Sequence, residues 1–226
     1  MPAPERFVAI ATPSLDGNVS AHYTASLVRT MALMHERGVR VGLHLEIGNS
    51  LVTDARNQLV SRFLATPATE LVFIDADLSW QEQDFARLLA HDAPLVAGVY
   101  QRKSREKVDF TVKFGPTITR EPGGLVEALR AGTGFMRLRR DCLERMIAAH
   151  PALKLRNAKQ PGDPHLYALF DTSIADGEYV GEDYTFCDRW RAIGGRVMVD
   201  PSLAFAHHGA AAYDEPLAKY LQLRTG

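Results

Sequence analysis

The sequence predicts an α/β fold in which a mainly parallel sheet is flanked by helices. Short β-rich apolar runs alternate with amphipathic segments through the first half of the chain, the pattern of βαβ units. The run Leu71-Val72-Phe73-Ile74 then ends in Asp75-Ala76-Asp77. Open α/β sheets bind ligands beyond the carboxyl ends of their strands, so this acidic pair falls where a site is expected.

Taken in order, strands are expected over Phe7–Thr12, Val39–Leu45, Glu70–Asp75 and Pro94–Tyr100. A helix from Ser20 to Arg37 carries Leu27, Met31 and Met34 on one face and stops at Gly38. The next, from Ser50 to Leu64, repeats Leu51, Ala55, Leu59 and Phe63 at helical spacing. Ser79-Trp80-Gln81-Glu82 has the form of a capping box, and a helix with Phe85, Leu88 and Leu89 should follow it. Further on, strands are expected at Phe110–Phe114 and Phe135–Arg139, with helices at Asp141–Ala149 and Glu182–Ile193. The last helix displays Phe186, Cys187, Trp190 and Ile193 on one side and ends at Gly194-Gly195. Asn157 to Pro164 reads as a surface loop.

Composition narrows the function classes. A chain of 226 residues, 46% hydrophobic with a formal net charge of −1, is long enough to bury a sizeable core in one domain. That charge balance disfavours a nucleic-acid partner, which needs many cationic groups to neutralise phosphates. The amino-terminal segment Met1 to Arg6 leads directly into a strand-like run, so neither a signal peptide nor a transmembrane helix is expected. Cys142 and Cys187 stand far apart, without the spacing of a zinc pair, and read as buried free thiols of a cytoplasmic protein.

Three clusters carry candidate chemistry. Asp75 and Asp77 lie two apart and share a strand face, so both can address one hard cation. Mg²⁺ or Mn²⁺ would bind there through one or two carboxylates, phosphate oxygens and water, which favours a phosphorylated ligand. Gly181-Glu182-Asp183 opens a helix, where the macrodipole favours ionised carboxylates; such a group can serve as a general base, or merely cap the helix. His207-His208-Gly209 follows a β-like run, and an imidazole ligand there would bias the choice toward Mn²⁺. Asp54, Arg56 and Asn57 on the second helix, and Arg102, Lys103 and Arg105 in a later loop, are either anion contacts or solvated charge.

Asp54-Ala55-Arg56-Asn57, Leu71 to Asp77, Gly132-Thr133-Gly134-Phe135-Met136, Gly181 to Cys187, and Asp200-Pro201 followed by His207-His208-Gly209 form an ordered set. That set resembles the signature of GT-A-fold glycosyltransferases, and is similar to bacterial family-2-like nucleotide-sugar transferases. The resemblance implies a single GT-A-like catalytic domain over 1–226, with a nucleotide-binding half at 1–100 and an acceptor-side half at 101–226. It implies a nucleoside-diphosphate-sugar donor, a UDP-sugar being favoured, and transfer to an acceptor hydroxyl of unknown identity with inversion. On this resemblance Thr12 and Pro13 lie near the base, and Asp54, Arg56, Asn57 and Asp75 hold the donor. Asp75, Asp77 and His207 bind Mn²⁺ or Mg²⁺, with His208 left open as the ligand. Asp183, beside Glu182, is the base, and Gly132, Thr133 and Gly134 border the sugar or acceptor.

Two other readings compete. An apolar strand ending in Asp-x-Asp also resembles the nucleophile motif of haloacid-dehalogenase-like phosphohydrolases, in which Asp75 would attack the phosphorus. That reading leaves Gly132-Thr133-Gly134 and His207 without roles. The other is a binding module that keeps the fold and the donor without transfer.

Overall fold

The structure, a computed structural model, describes residues 6–104, 106–121, 123–157, 160–209 and 211–224. Met1 to Glu5, Arg105 of the basic loop, and Ala158 and Lys159 of the predicted surface loop lie outside the described residues. Strand β1 (Phe7–Ser14), helix α1 (Ala21–Glu36), β2 (Arg40–Ile47), α2 (Val52–Leu64) and β3 (Glu70–Ile74) form two successive β/α units and a third strand. A short β4 (Leu78–Trp80), α3 (Glu82–Ala90) and β5 (Leu95–Ala97) follow. The second half adds β6 (Val112–Lys113), β7 (Val126–Ala128), β8 (Arg130–Ala131), β9 (Phe135–Arg139) and α4 (Arg140–Ala149). After these come the hairpin β10 (Ser173–Ala175) and β11 (Glu178–Val180), then α5 (Glu182–Ala192) and β12 (Val197–Val199). The chain closes with β13 (Phe205–His208), β14 (Ala212–Tyr213) and α6 (Leu217–Arg224).

Seven strands build the central sheet in the order β2-β1-β3-β9-β5-β12-β7. Five run one way; β9 and β7 run against them, so the sheet is mixed but mainly parallel. Along β1, Phe7, Ala9 and Ala11 enter one apolar layer while Val8 and Ile10 enter the other, and β3 divides Leu71 and Phe73 from Val72 and Ile74 in the same way. Strands buried on both faces have no polar alternation, which is why they read as unbroken apolar runs. Helices α2, α4 and α5 cover the first face, with Leu59, Phe63, Leu143, Phe186 and Trp190. Helices α1 and α3 cover the second, with Tyr23, Met34, Phe85 and Leu88.

Two local expectations are corrected. Helix α1 begins at its predicted cap, the Ser20 side chain accepting from the Tyr23 amide at 3.0 Å, but its buried face is Tyr23, Ser26, Thr30 and Met34 while Met31 is 42% exposed. The polar Ser26 and Thr30 are accommodated because they accept from the Trp80 backbone N–H at 3.1 Å and the indole N–H at 2.8 Å. Nor is Ser79 a helix cap: α3 starts after Gln81 without a side-chain cap, and the Ser79 hydroxyl is committed to His208 at 2.8 Å.

Gly98 shows how closely the second layer is packed. A Cβ there would lie 2.3 Å from Cζ of Phe205 and 3.1 Å from Phe135. Overpacking of this kind costs about 1–3 kcal/mol. Gly98→Ala is therefore expected to lower the thermal midpoint by roughly 2–10 °C, measured by circular dichroism, for a chain of this size.

Candidate functional site

Topology gathers the site before any side chain is considered. Because β9 runs against β3, its first residue Phe135 pairs with Ile74, the last residue of β3. The Gly132-Thr133-Gly134 loop is thereby delivered to the end of β3, and the Asp75 amide donates to the Gly134 carbonyl at 2.9 Å. On the other side β13 pairs antiparallel with β4, setting His207 opposite Leu78. The His208 amide then donates to the Asp77 carbonyl at 2.8 Å. Residues more than a hundred positions apart in the chain thus meet at one sheet edge.

A cavity of about 630 Å³ opens at this edge, lined by Pro13, Ser14, Asn18, Arg56, Asp75 and Asp77 among others. Arg56 is its organising group. Its Nη2 donates to Asp75 Oδ1 at 3.1 Å and its Nε to Glu182 Oε1 at 3.2 Å, so one guanidinium joins the acidic motif of each half. Arg56 is 4% exposed, and its Nη1 is buried with no hydrogen-bond partner. A buried donor left unpaired carries a desolvation cost that an anionic ligand would remove. Burial pulls the Arg56 pKa down, but Asp75 and Glu182 more than offset it, so the guanidinium stays charged.

Asp75 has both oxygens engaged, Oδ2 accepting from the Tyr100 hydroxyl at 3.3 Å. Burial first, and the Asp75 charge second, push the Tyr100 pKa well above its ordinary value, so Tyr100 remains a neutral donor. Gly134 is required beside this pair: a Cβ would stand 2.1 Å from the Tyr100 hydroxyl and 2.5 Å from Asp75 Oδ2. Next to it, Thr133 is buried with its hydroxyl unpartnered.

Asp77 faces a different set. Its Oδ2 accepts from Lys103 Nζ at 2.5 Å, and its Oδ1 lies 3.4 Å from His207 Nε2. Burial raises the Asp77 pKa, but hydrogen bonds and charge from His207 and Lys103 bring it down to about 2. The His207 Nδ1 lies 2.9 Å from the Gln101 carbonyl, which can only accept, so that nitrogen carries the proton. The His207 Nε2 is thereby turned toward a carboxylate oxygen of Asp77. A carbonyl behind the imidazole is the usual support for a metal-binding histidine. Among the described residues no three His, Cys, Asp or Glu groups are close enough to hold a metal ion by themselves. Asp77 and His207 fit a divalent ion that takes its remaining ligands from phosphate and water. His208 turns away, bonded to Ser79 and stacked on His22 with ring centroids 4.1 Å apart.

Asp183 lies at the start of α5. Its Oδ1 accepts from the Tyr184 amide at 2.7 Å, and its Oδ2 lies 3.5 Å from where a Cβ on Gly132 would be. The helix start was expected to favour ionisation. Burial, reinforced by the Glu182 charge, wins instead and raises the pKa to about 6.

The remaining predicted donor residues serve the frame. Thr12 is fully buried and hydrogen-bonded to the Tyr23 hydroxyl at 2.6 Å. Asn57 exchanges two hydrogen bonds with the Phe170 backbone, at 2.8 and 2.9 Å, and pins the second half onto α2. Asp54 accepts at 2.7 Å from Asn49, which itself lines the cavity. Sequence reasoning singled out Arg102 and Lys103 as possible anion contacts but missed Tyr100 and Gln101 and the strap after β5 that they share, in which Tyr100 reaches Asp75, Gln101 holds His207, Arg102 reaches the Tyr184 hydroxyl at 3.2 Å, and Lys103 reaches Asp77. No spacing rule marks such residues; their only signal is position just past the carboxyl end of a sheet strand.

Neither a family model nor a curated protein matches the chain. Solved structures do. A197 from STIV is 17% identical, with a TM-score of 0.55 over 89% of this chain and 85% of that one. GalNAc-T7, crystallised with UDP, GalNAc and Mn²⁺, is 9% identical with a TM-score of 0.52, and matches 90% of this chain but only 44% of its own. These likenesses, with the sheet order above, show a GT-A-like glycosyltransferase fold. No helix among the described residues is long and apolar enough to cross a membrane.

Proposed function

We propose that the chain is a glycosyltransferase that moves a sugar from a nucleoside-diphosphate sugar, a UDP-sugar in the first instance, to an acceptor hydroxyl with inversion. The observation that carries the proposal is Arg56, whose forked contacts join Asp75 to Glu182 beside a cavity and leave one buried N–H group free. A diphosphate in that cavity would meet a planar cation whose fork suits phosphate oxygens. Crystallisation of GalNAc-T7 with UDP, GalNAc and Mn²⁺ on the same fold is consistent with a donor of this class.

In this reading Pro13 borders the nucleotide and Arg56 and Asp75 orient the donor, with Thr12, Asp54 and Asn57 holding their elements in place. Gly132, Thr133 and Gly134 border the sugar and acceptor, the two glycines letting Thr111, Tyr100 and Asp75 close in on this rim. Asp77 and His207 would hold Mn²⁺ or Mg²⁺, which when bound supplies positive charge to the departing diphosphate. Asp183 takes the proton from the acceptor hydroxyl as it attacks, and its pKa of about 6 keeps it ionised yet basic near neutral pH. Attack on the face opposite the leaving group inverts the anomeric centre. A phosphohydrolase fits less well, because both Asp75 oxygens are engaged by Arg56 and Tyr100 and neither is a free nucleophile.

Thermal-shift measurement over UDP, GDP, CDP, ADP and dTDP, each with and without Mn²⁺, tests the donor half. One base is expected to raise the midpoint by several degrees only when Mn²⁺ is present, since ligand at a hundred times its Kd contributes about 2.7 kcal/mol. A flat response to all five would overturn the donor assignment.

A further inference from the structure

We propose that Lys103 is an internal counter-ion: its ammonium fills the cation position at Asp77 in the ligand-free protein and yields it to the divalent ion that accompanies the donor. This deepens, and rests on, the transferase reading above. Nζ takes Asp77 Oδ2 at 2.5 Å while His207 Nε2 faces Oδ1 at 3.4 Å, so the amine and the imidazole occupy separate oxygens of one carboxylate. The amine thus sits against the carboxylate on the side left open by the imidazole. The lysine stem is accommodated because position 209 is glycine, where a Cβ would lie 3.2 Å from Lys103 Cδ.

The contact is built to exchange. The Lys103 and Asp77 side chains are 35% and 41% exposed, so the ammonium can return to water at low cost. A lysine presents a point charge on a flexible stem and has no fixed fork to dismantle, unlike Arg56 across the cavity. A divalent ion on the same oxygen would stand within a few ångströms of the ammonium, and like charges at that distance repel. Metal entry and Lys103 release are therefore one event. The exchange also leaves Asp77 compensated in both states, so the carboxylate is never left without a cation.

The test is Mn²⁺ binding without nucleotide, followed by the electron-paramagnetic-resonance signal of free Mn²⁺ at fixed pH and ionic strength. Lys103→Met removes the charge and keeps the stem, and is expected to tighten Mn²⁺ binding about tenfold, the scale of losing one partly exposed competing ion pair and its repulsion. Lys103→Arg keeps the charge and is expected to stay at or above the wild-type Kd. Equal or weaker binding by Lys103→Met would overturn the proposal. If the nucleotide thermal shift persists with Mn²⁺ while Lys103→Met binds the ion like wild type, the counter-ion role falls and the transferase reading stands. If no variant binds Mn²⁺ even when UDP is added, the cation position falls together with the counter-ion role.

Discussion

Asp183→Asn is expected to reduce sugar transfer by about 10²–10⁴-fold, the usual contribution of a positioned general base, while making the protein harder to unfold at neutral pH. The two effects have one origin. Burial and the Glu182 charge raise the Asp183 pKa from 3.8 to about 6, so the folded state binds this proton more tightly than the unfolded state. Between those values stability falls as pH rises, because the native chain must give up a proton it holds firmly. The lost stability is on the order of 2–3 kcal/mol above pH 6, by the energy of a pKa shift of this size. An asparagine has no proton to lose. Urea unfolding of wild type and variant should therefore agree near pH 4 and diverge through pH 6, with the variant the more stable. Wild-type kcat/KM should fall as pH drops below about 6. A variant that keeps transfer, or a stability difference of opposite sign, would remove Asp183 from the role of base.

Arg56→Met is expected to destabilise the fold by about 3 kcal/mol and to abolish detectable donor binding. Its side chain is 5% exposed, against 26% for Asp75 and 16% for Glu182. Removing one member of a buried ion pair costs about 3–5 kcal/mol, because the charge left behind keeps its desolvation penalty. Partial exposure of both carboxylates sets the lower end of that range. The cost should appear as a midpoint lower by roughly 6–12 °C. Glu182→Gln in the same background should restore part of the stability and none of the binding. Arg56→Lys should not restore binding either, since a single ammonium cannot address Asp75, Glu182 and a ligand together.

The first half of the fold was legible because each element there carries its own signal. Strands β1 and β3 announce themselves by apolar runs, and α2 by Ala55, Leu59 and Phe63 at helical spacing, all of them buried, whereas Leu51 of the same expected series precedes the helix and is 64% exposed. Strands of two or three residues, such as β7, β8 and β12, are too short for any periodicity, and only their partners in the sheet define them. The site divides along the same line. Asp75, Asp77, Asp183 and His207 were visible as ordered motifs at element ends. The assignment of Asp54 and Asn57 from shared helix position did not anticipate that Asn57 turns inward to the Phe170 backbone. Tyr100 and Gln101 were silent, and Lys103 was legible only as loop charge, because contacts separated by 25 to 106 positions are set by topology and leave no local pattern.

Strand β9 has a consequence for how the molecule can be divided. It enters from beyond residue 130 and lies between β3 and β5, which both belong to the first hundred residues. A polypeptide ending after β5 would leave a gap at the middle of its own sheet, with two unpaired edges exposed. The first hundred residues are thus stitched shut by a strand from the second half of the chain. Neither half is expected to survive as a separate piece.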